Sequence, residues 1–200
     1  MATTRPHHHW FDSFWPLATA ATGVGYVATS YAVARWLTRP SPASPKPGND
    51  ASTLSLESLE CTTADGVLLR GWALAPDQPR ATVALFHGLR AHRGCMMNRA
   101  LVLADAGFRC VLFDLRAHGE SDGAWTSFGF HERHDVAAVA RLVRSRWPGQ
   151  PSAALGTSMG AAALCFAGAE ADFDALVMES LYPNLARAFD CRVGQVFPEW

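Results

Sequence analysis

The sequence has almost no net charge and no dense basic segment. Its 200 residues include 17 Lys and Arg against 18 Asp and Glu, which gives a formal net charge of −1. Proteins that bind nucleic acid place many basic side chains against its phosphates. We therefore predict no nucleic-acid partner. The apolar fraction of 49% indicates a globular chain and not a disordered one.

The sequence also lacks cysteine pairs at the spacing that metal sites and redox motifs use. Its five cysteines include no Cys-x-x-Cys pair, and their odd number argues against a disulfide framework. His131, His134 and Asp135 lie close together in the sequence, but we interpret them as structural residues near the start of a helix and not as metal ligands. We predict neither a bound metal nor a cofactor.

Charged side chains are absent from residues 14–34. A helix that crosses a bilayer needs about 20 such residues. Trp10, Trp15 and Trp36 lie towards the two ends of the segment, as interfacial aromatic residues do. We therefore interpret residues 1–13 as a tail and residues 14–34 as a transmembrane helix that anchors the protein in a membrane.

The orientation and the alternatives depend on the residues that flank this segment. Arg35, Arg39 and Lys46 follow it, whereas Arg5 precedes it, and the positive-inside rule then places the C-terminal domain in the cytoplasm. Residues 32–34 resemble a signal-peptidase site, so secretion after cleavage is one alternative. A helix on the protein surface is another.

The segment at residues 35–51 is rich in proline, with four prolines between residues 40 and 50. Such a composition is typical of a semi-extended linker. We therefore expect the folded domain to span residues 52–200.

Within that domain, short apolar runs alternate with helical patterns. Residues 54–60 and 67–74 predict an antiparallel hairpin around a turn at Asp65-Gly66. Four further apolar runs predict buried strands at 82–86, 108–113, 153–155 and 175–178, and helical spacing predicts helices at 95–105, 132–147 and 159–168. This order favours an α/β fold with a mostly parallel sheet and helices on both faces.

One of these strand-to-helix junctions carries a nucleophile motif. Residues 156–160 match G-x-S-x-G, with Ser158 at the centre. The motif lies between a predicted buried strand and an Ala-rich helix, which is the context of a nucleophile elbow. Gly156 and Gly160 would let strand and helix approach each other. The alternative is a glycine-rich turn with an incidental serine.

A second motif follows the predicted strand at 82–86. His87, Gly88 and Leu89 come directly after it. We expect Gly88 to let the chain turn over the sheet edge. A backbone amide in this loop could then join the Met159 amide in an oxyanion hole. We interpret His87 as a buried residue that shapes the loop, in preference to a general base.

Together with residues 113–121 (FDLRAHGES), these motifs resemble the α/β-hydrolase superfamily. Within it the chain is similar to serine-aminopeptidase-like and BEM46-like hydrolases, several of which carry an N-terminal membrane helix. The resemblance covers about residues 52–190. It implies that Ser158 attacks a small-molecule ester or amide through an acyl-enzyme, with the backbone amides of Leu89 and Met159 as the oxyanion hole. It also implies that the 113–121 segment shapes the rim of the site.

The sequence departs from this resemblance after Ser158. In the α/β-hydrolase fold the catalytic acid and then the His follow the serine in the chain, but all eight histidines precede Ser158. The triad acid and His are therefore not present in these 200 residues. We expect a fold that is incomplete at its C-terminus and a chain that is inactive as given. The alternative function is that of a non-catalytic or truncated α/β-hydrolase-like protein.

Overall fold

A computed structural model of the protein describes residues 10–46, 56–188 and 190. The chain divides into two compact units, Met1–Arg39 and Pro40–Trp200. Residues 1–9 of the predicted tail, residues 47–51 of the predicted linker and the ends of the predicted domain, 52–55 and 191–200, lie outside the described residues.

The first unit holds one helix, α1 (Trp10–Leu37), which contains the predicted transmembrane segment at residues 14–34. No helix in the described part of the chain is long and apolar enough to cross a membrane. The length of α1 is sufficient, but Thr, Gly, Ser and Tyr residues alternate with its apolar ones. The prediction of a membrane-spanning helix is therefore not supported. The cellular location that we expected from it stays a prediction.

The second unit is built on a sheet of six strands, which in chain order are β2 (Leu56–Thr62), β3 (Leu68–Leu74), β4 (Thr82–Phe86), β5 (Arg109–Phe113), β7 (Ser152–Thr157) and β8 (Ala175–Glu179). Their order across the sheet is β2-β3-β5-β4-β7-β8. β2 pairs antiparallel with β3, and β3 pairs antiparallel with β5. The other pairs are parallel. This confirms the predicted N-terminal hairpin and the mostly parallel sheet.

Three helices cover the sheet: α2 (Met97–Asp105), α3 (Arg133–Arg146) and α4 (Met159–Ala167). The apolar core lies on both faces of the sheet, and the side chains of β4 contribute alternately to the two faces. Its residues Ala84 and Phe86 pack in one cluster with α3 and α4, whereas Val83 and Leu85 pack in the other with α2. Because every side chain of β4 is buried, its sequence shows no polar alternation.

Part of the predicted linker packs on the second unit. Ser41–Pro42 form a short strand, β1, that pairs in parallel with β6 (His118–Gly119). The Ser41 N–H donates to the Ala117 carbonyl at 2.7 Å, and the Ala43 N–H donates to the Gly119 carbonyl at 3.0 Å. The second unit, which begins at Pro40, therefore includes part of the predicted linker.

Candidate active site

Ser158 lies at the sharp turn between β7 and α4. Its backbone has φ 53° and ψ −108°, in a region that residues with a side chain rarely adopt. The Ser158 N–H donates to the Glu179 carbonyl at 2.8 Å, and the Ser158 carbonyl accepts from the Ala162 N–H at 2.9 Å. This is the backbone geometry of a nucleophile elbow, at the edge of the sheet where the parallel strands end.

The glycines that flank Ser158 are required by close packing. A Cβ atom on Gly156 would lie 2.5 Å from the carbonyl carbon of Gly160. A Cβ atom on Gly160 would lie 2.8 Å from the carbonyl oxygen of His87. Both distances are too short for any side chain, so only glycine lets β7, α4 and the end of β4 approach this closely.

Gly88 has a different role from the one expected. Its φ is not positive, and a Cβ atom there would meet Ser158 Cβ at an ordinary 3.5 Å. The turn after β4 therefore does not need a glycine. What the structure shows is that Gly88 lies directly beside Ser158, which brings this loop to the nucleophile elbow.

The two amides expected to form an oxyanion hole have no hydrogen-bond acceptor in the described part of the chain. Neither the Leu89 N–H nor the Met159 N–H donates a hydrogen bond to any residue that the structure describes. Backbone N–H groups in a folded protein are nearly always paired. The Leu89 N–H in the loop after β4 and the Met159 N–H at the start of α4 are thus suited to an oxygen that develops negative charge.

Two buried histidines near the site have both ring nitrogens occupied. In His87, Nδ1 lies 2.8 Å from the Gly88 carbonyl and Nε2 accepts from the Leu115 N–H at 3.0 Å. In His118, Nδ1 lies 2.9 Å from the Arg116 carbonyl and Nε2 accepts from the Arg90 N–H at 3.2 Å. Neither imidazole therefore has a free lone pair with which to take a proton from Ser158.

Glu132, which sequence reasoning missed, organises a loop beside Met159. Its buried carboxylate accepts from the Thr126 hydroxyl at 2.7 Å, from Ser127 N–H at 2.9 Å and from Gly129 N–H at 2.8 Å. Burial by itself would raise the pKa of Glu132, but the hydrogen bonds from Ser127 and Thr126 outweigh it and lower the pKa. The Thr126 hydroxyl also contacts Met159 Sδ at 3.2 Å.

Glu179, also missed, contacts the nucleophile turn with its side chain. Besides the carbonyl that binds Ser158, its carboxylate accepts from the Thr157 hydroxyl at 3.2 Å and pairs with Arg99 of α2 at 2.7 Å. The hydrogen bonds from Arg99 lower the pKa of Glu179. A carboxylate at the end of the apolar strand that pairs with the strand before Ser158 was the available signal.

A profile of the Hydrolase_4 family, described as serine aminopeptidase, S33, matches residues 77–182. The chain belongs to this family. The match runs from before β4 to just after β8, so it contains the nucleophile turn and both loops that flank it. The glycine packing around Ser158 and the two unpaired amides thus lie within the matched residues, whereas β2 and β3 precede them.

Individual proteins that resemble this chain in sequence or structure are consistent with its family. The uncharacterized protein YqkD of Bacillus subtilis is 32% identical over 122 residues, which cover 58% of this chain and 40% of YqkD. The esterase Pf2001 of Pyrococcus furiosus superposes with a TM-score of 0.69 at 25% identity, over 82% of this chain and 64% of the esterase. A serine hydrolase without a lid, XC6422 of Xanthomonas campestris, superposes with a TM-score of 0.53 at 26% identity, over 62% of this chain and 60% of that protein. The chain thus spans less than two thirds of each of these proteins.

Proposed function

We propose that the protein is a serine hydrolase that cleaves a small-molecule carboxylic ester or amide, with Ser158 as the nucleophile. One observation carries the proposal: Ser158 has the backbone of a nucleophile elbow, with the unpaired amides of Leu89, in the neighbouring loop, and of Met159, at the start of α4. The serine would attack the carbonyl carbon and form an acyl-enzyme, while the two amides stabilise the oxyanion of the tetrahedral intermediate. Water would then release the acid.

The proposal includes a limit on these 200 residues taken alone. A serine hydroxyl is a weak nucleophile unless a neighbouring base accepts its proton. His87 and His118 hold backbone groups with both ring nitrogens, and no histidine follows Ser158 in the sequence. We therefore expect residues 1–200 alone to hydrolyse esters at rates close to background.

The occupied ring nitrogens of His87 and His118 favour a second candidate function. If no base reaches Ser158 in the whole protein, the domain would be a non-catalytic α/β-hydrolase-like protein. Its fold and its unpaired amides would then serve binding and not turnover. The two functions differ in whether hydrolysis depends on the Ser158 hydroxyl.

Hydrolysis of a short-chain p-nitrophenyl ester by the protein expressed from its complete gene separates the two. We expect Ser158→Ala to lower kcat by about 10³-fold or more, because removal of a nucleophile leaves only binding and the oxyanion hole. Ser145→Ala is the matched control, since Ser145 is an exposed residue of α3 whose hydroxyl donates to the Leu142 carbonyl within the same helix. Equal activity of the Ser158→Ala variant and the wild type would reject the nucleophile. No activity in the wild type would favour the non-catalytic function.

A further inference from the structure

Two loops lie beside the proposed nucleophile, and a histidine from each loop binds a backbone N–H of the other. The first, the oxyanion loop, comprises residues 87–93 and carries Leu89. The second, the clamp loop, comprises residues 114–120 and follows β5. Both begin at the ends of neighbouring parallel strands, and hydrogen bonds join the two loops, such as the one from the Leu115 N–H to His87 Nε2 at 3.0 Å.

A contact within the oxyanion loop orients the peptide group of Leu89. The Gly88 carbonyl and the Leu89 N–H belong to the same planar peptide unit, and they point in opposite directions. His87 donates from Nδ1 to this carbonyl, because a carbonyl can only accept, and the Ala91 N–H donates to it at 3.2 Å. Because His87 binds this carbonyl, the Leu89 N–H points away from the His87 ring.

The contact from the clamp loop holds the next peptide group. His118 donates from Nδ1 to the Arg116 carbonyl, so its Nε2 carries no proton and accepts from the Arg90 N–H at 3.2 Å. The Leu89 Cα thus lies between two peptide units, each bonded to an imidazole. The two rings are both fully buried, and their centroids lie 5.2 Å apart.

A buried ion pair closes the same junction. The Asp114 carboxylate accepts from the Arg93 N–H at 2.6 Å and from the Glu120 N–H at 2.9 Å. It also pairs with the Arg93 guanidinium, whose carbon lies 4.3 Å from the centre of the Trp72 ring. This ion pair holds Arg93, at the C-terminal end of the oxyanion loop. The His118 contact instead holds Arg90, which is adjacent to Leu89.

The backbone at the junction is strained and depends on such contacts. Arg90 has φ 58° and Ala117 has φ 59°, values that cost about 1–3 kcal/mol per residue and persist only when surrounding contacts enforce them. Arg90 directly follows Leu89. Loss of its hydrogen bond would let the strained backbone relax and move the adjacent amide.

We propose that His118 is a positioning residue for the oxyanion hole: as a neutral imidazole, it holds the Arg90 N–H and thereby fixes the direction of the Leu89 N–H. The proposal rests on the function proposed above. A proton on Nε2 would replace the acceptor with a donor that faces the Arg90 N–H, so the contact would be lost in acid.

The surroundings of His118 agree with a neutral ring at neutral pH. Burial lowers the pKa of His118, although the Arg116 carbonyl and the charges of Glu132 and Asp114 raise it in part. The ring of His87 is the other titratable neighbour, and burial followed by the proximity of His118 lowers the pKa of His87 to about 3. Two buried, uncharged imidazoles side by side are the state that the hydrogen bonds require.

Two substitutions distinguish the hydrogen-bond acceptor of His118 from the space that its ring fills. His118→Gln offers a carbonyl oxygen at a reach similar to that of Nε2 but does not titrate, whereas His118→Leu fills the space without an acceptor. His134→Leu, in the first turn of α3, is the control for loss of a half-buried histidine. The first measurement is the hydrogen-exchange protection of the Arg90 amide in the protein from the complete gene, followed from neutral pH to well below 6.5, because burial lowers the pKa of His118 from that ordinary value.

We expect His118→Leu to lower the Arg90 protection factor by about tenfold, which corresponds to one ordinary hydrogen bond. His118→Gln should keep the protection and lose its pH dependence, and His134→Leu should match the wild type. Unchanged protection in His118→Leu, or equal losses in the Leu and Gln variants, would overturn the proposal. If His118→Leu does not fold, the wild type compared with His118→Gln over the pH range decides, since only the wild type should lose protection in acid.

The second measurement is the rate at which a fluorophosphonate probe labels Ser158. We expect about a tenfold lower rate in His118→Leu and a rate close to that of the wild type in His118→Gln. Normal labelling of the Leu variant would contradict a positioning role. If the wild type is not labelled at all, the proposed function fails, while the protection factor of Arg90 still decides whether His118 holds the loop.

Discussion

Ser158 has a backbone conformation that the surrounding residues must hold. Its positive φ costs about 1–3 kcal/mol. On the β8 side, the Glu179 carbonyl binds the Ser158 N–H, while the Glu179 carboxylate joins Thr157 to Arg99 of α2. Because α2 follows the oxyanion loop in the chain, the Arg99 ion pair connects the two sides of the proposed oxyanion hole.

Glu132 offers a stability prediction at the level of one side chain. Its buried carboxylate accepts four hydrogen bonds, from Thr126, Gly129 and both the N–H and the hydroxyl of Ser127. We expect Glu132→Gln to lower the free energy of unfolding at pH 7 by about 1.5–3 kcal/mol, since an amide gives up at least one acceptor to these donors. Chemical denaturation measures the difference.

The same substitution predicts a pH dependence. The folded pKa of Glu132 is lowered, so its stabilisation is complete above the ordinary value of 4.5 and is lost as the pH falls through the folded value. The difference in the free energy of unfolding between wild type and Glu132→Gln should therefore decrease below pH 4.5. Glu170→Gln, at an exposed site, should have no effect. A gap that stays constant down to pH 3 would show that the charge of Glu132 contributes nothing.

At the level of elements, the site depends on how closely α4 packs on the strands. Gly160 of α4 lies against the carbonyl oxygens of Phe86 and His87 at the end of β4. We expect Gly160→Ala to destabilise the fold by about 1–3 kcal/mol, because the added methyl group overpacks this contact. Denaturant unfolding should show the loss, and Gly88→Ala is the control because its Cβ would meet only ordinary contacts. Equal stability of Gly160→Ala and wild type would show that α4 can move away at no cost.

Most elements could be predicted from the sequence because their patterns are local. The apolar run of β4 and the helical spacing of α3 depend on neighbours along the chain, and both elements lie within a few residues of their predicted bounds. The docking of Ser41 and Ala43 was missed, since their partners Ala117 and Gly119 lie about 75 residues away in sequence. No local pattern in a proline-rich segment indicates such a pairing.

The candidate site was predictable in part for the same reason. The G-x-S-x-G motif is contiguous, so Ser158 and its flanking glycines were identified from the sequence alone. Glu132 and Glu179 were missed because a buried or bridging carboxylate is recognised by its hydrogen-bond partners, and these come from other elements. The ring nitrogens of His87 and His118 could likewise be assigned only once their backbone partners were known.

For the molecule as a whole, the absence of charge in residues 14–34 was a misleading signal. The segment forms the long helix α1 as expected, but it is not apolar enough to cross a membrane. A low charge count and a high hydropathy are separate properties, and Thr, Gly, Ser and Tyr residues provide the first without the second. The second unit, by contrast, has the predicted α/β-hydrolase fold, and its family match spans the candidate site.

The most direct test of the account is to locate a covalent adduct on the serine. The protein from the complete gene would be incubated with a fluorophosphonate, digested and analysed by peptide mass spectrometry. We predict a single modified residue, Ser158, and no adduct in the Ser158→Ala variant. Modification of another serine, or an adduct that persists in Ser158→Ala, would contradict the assignment of Ser158 as the nucleophile.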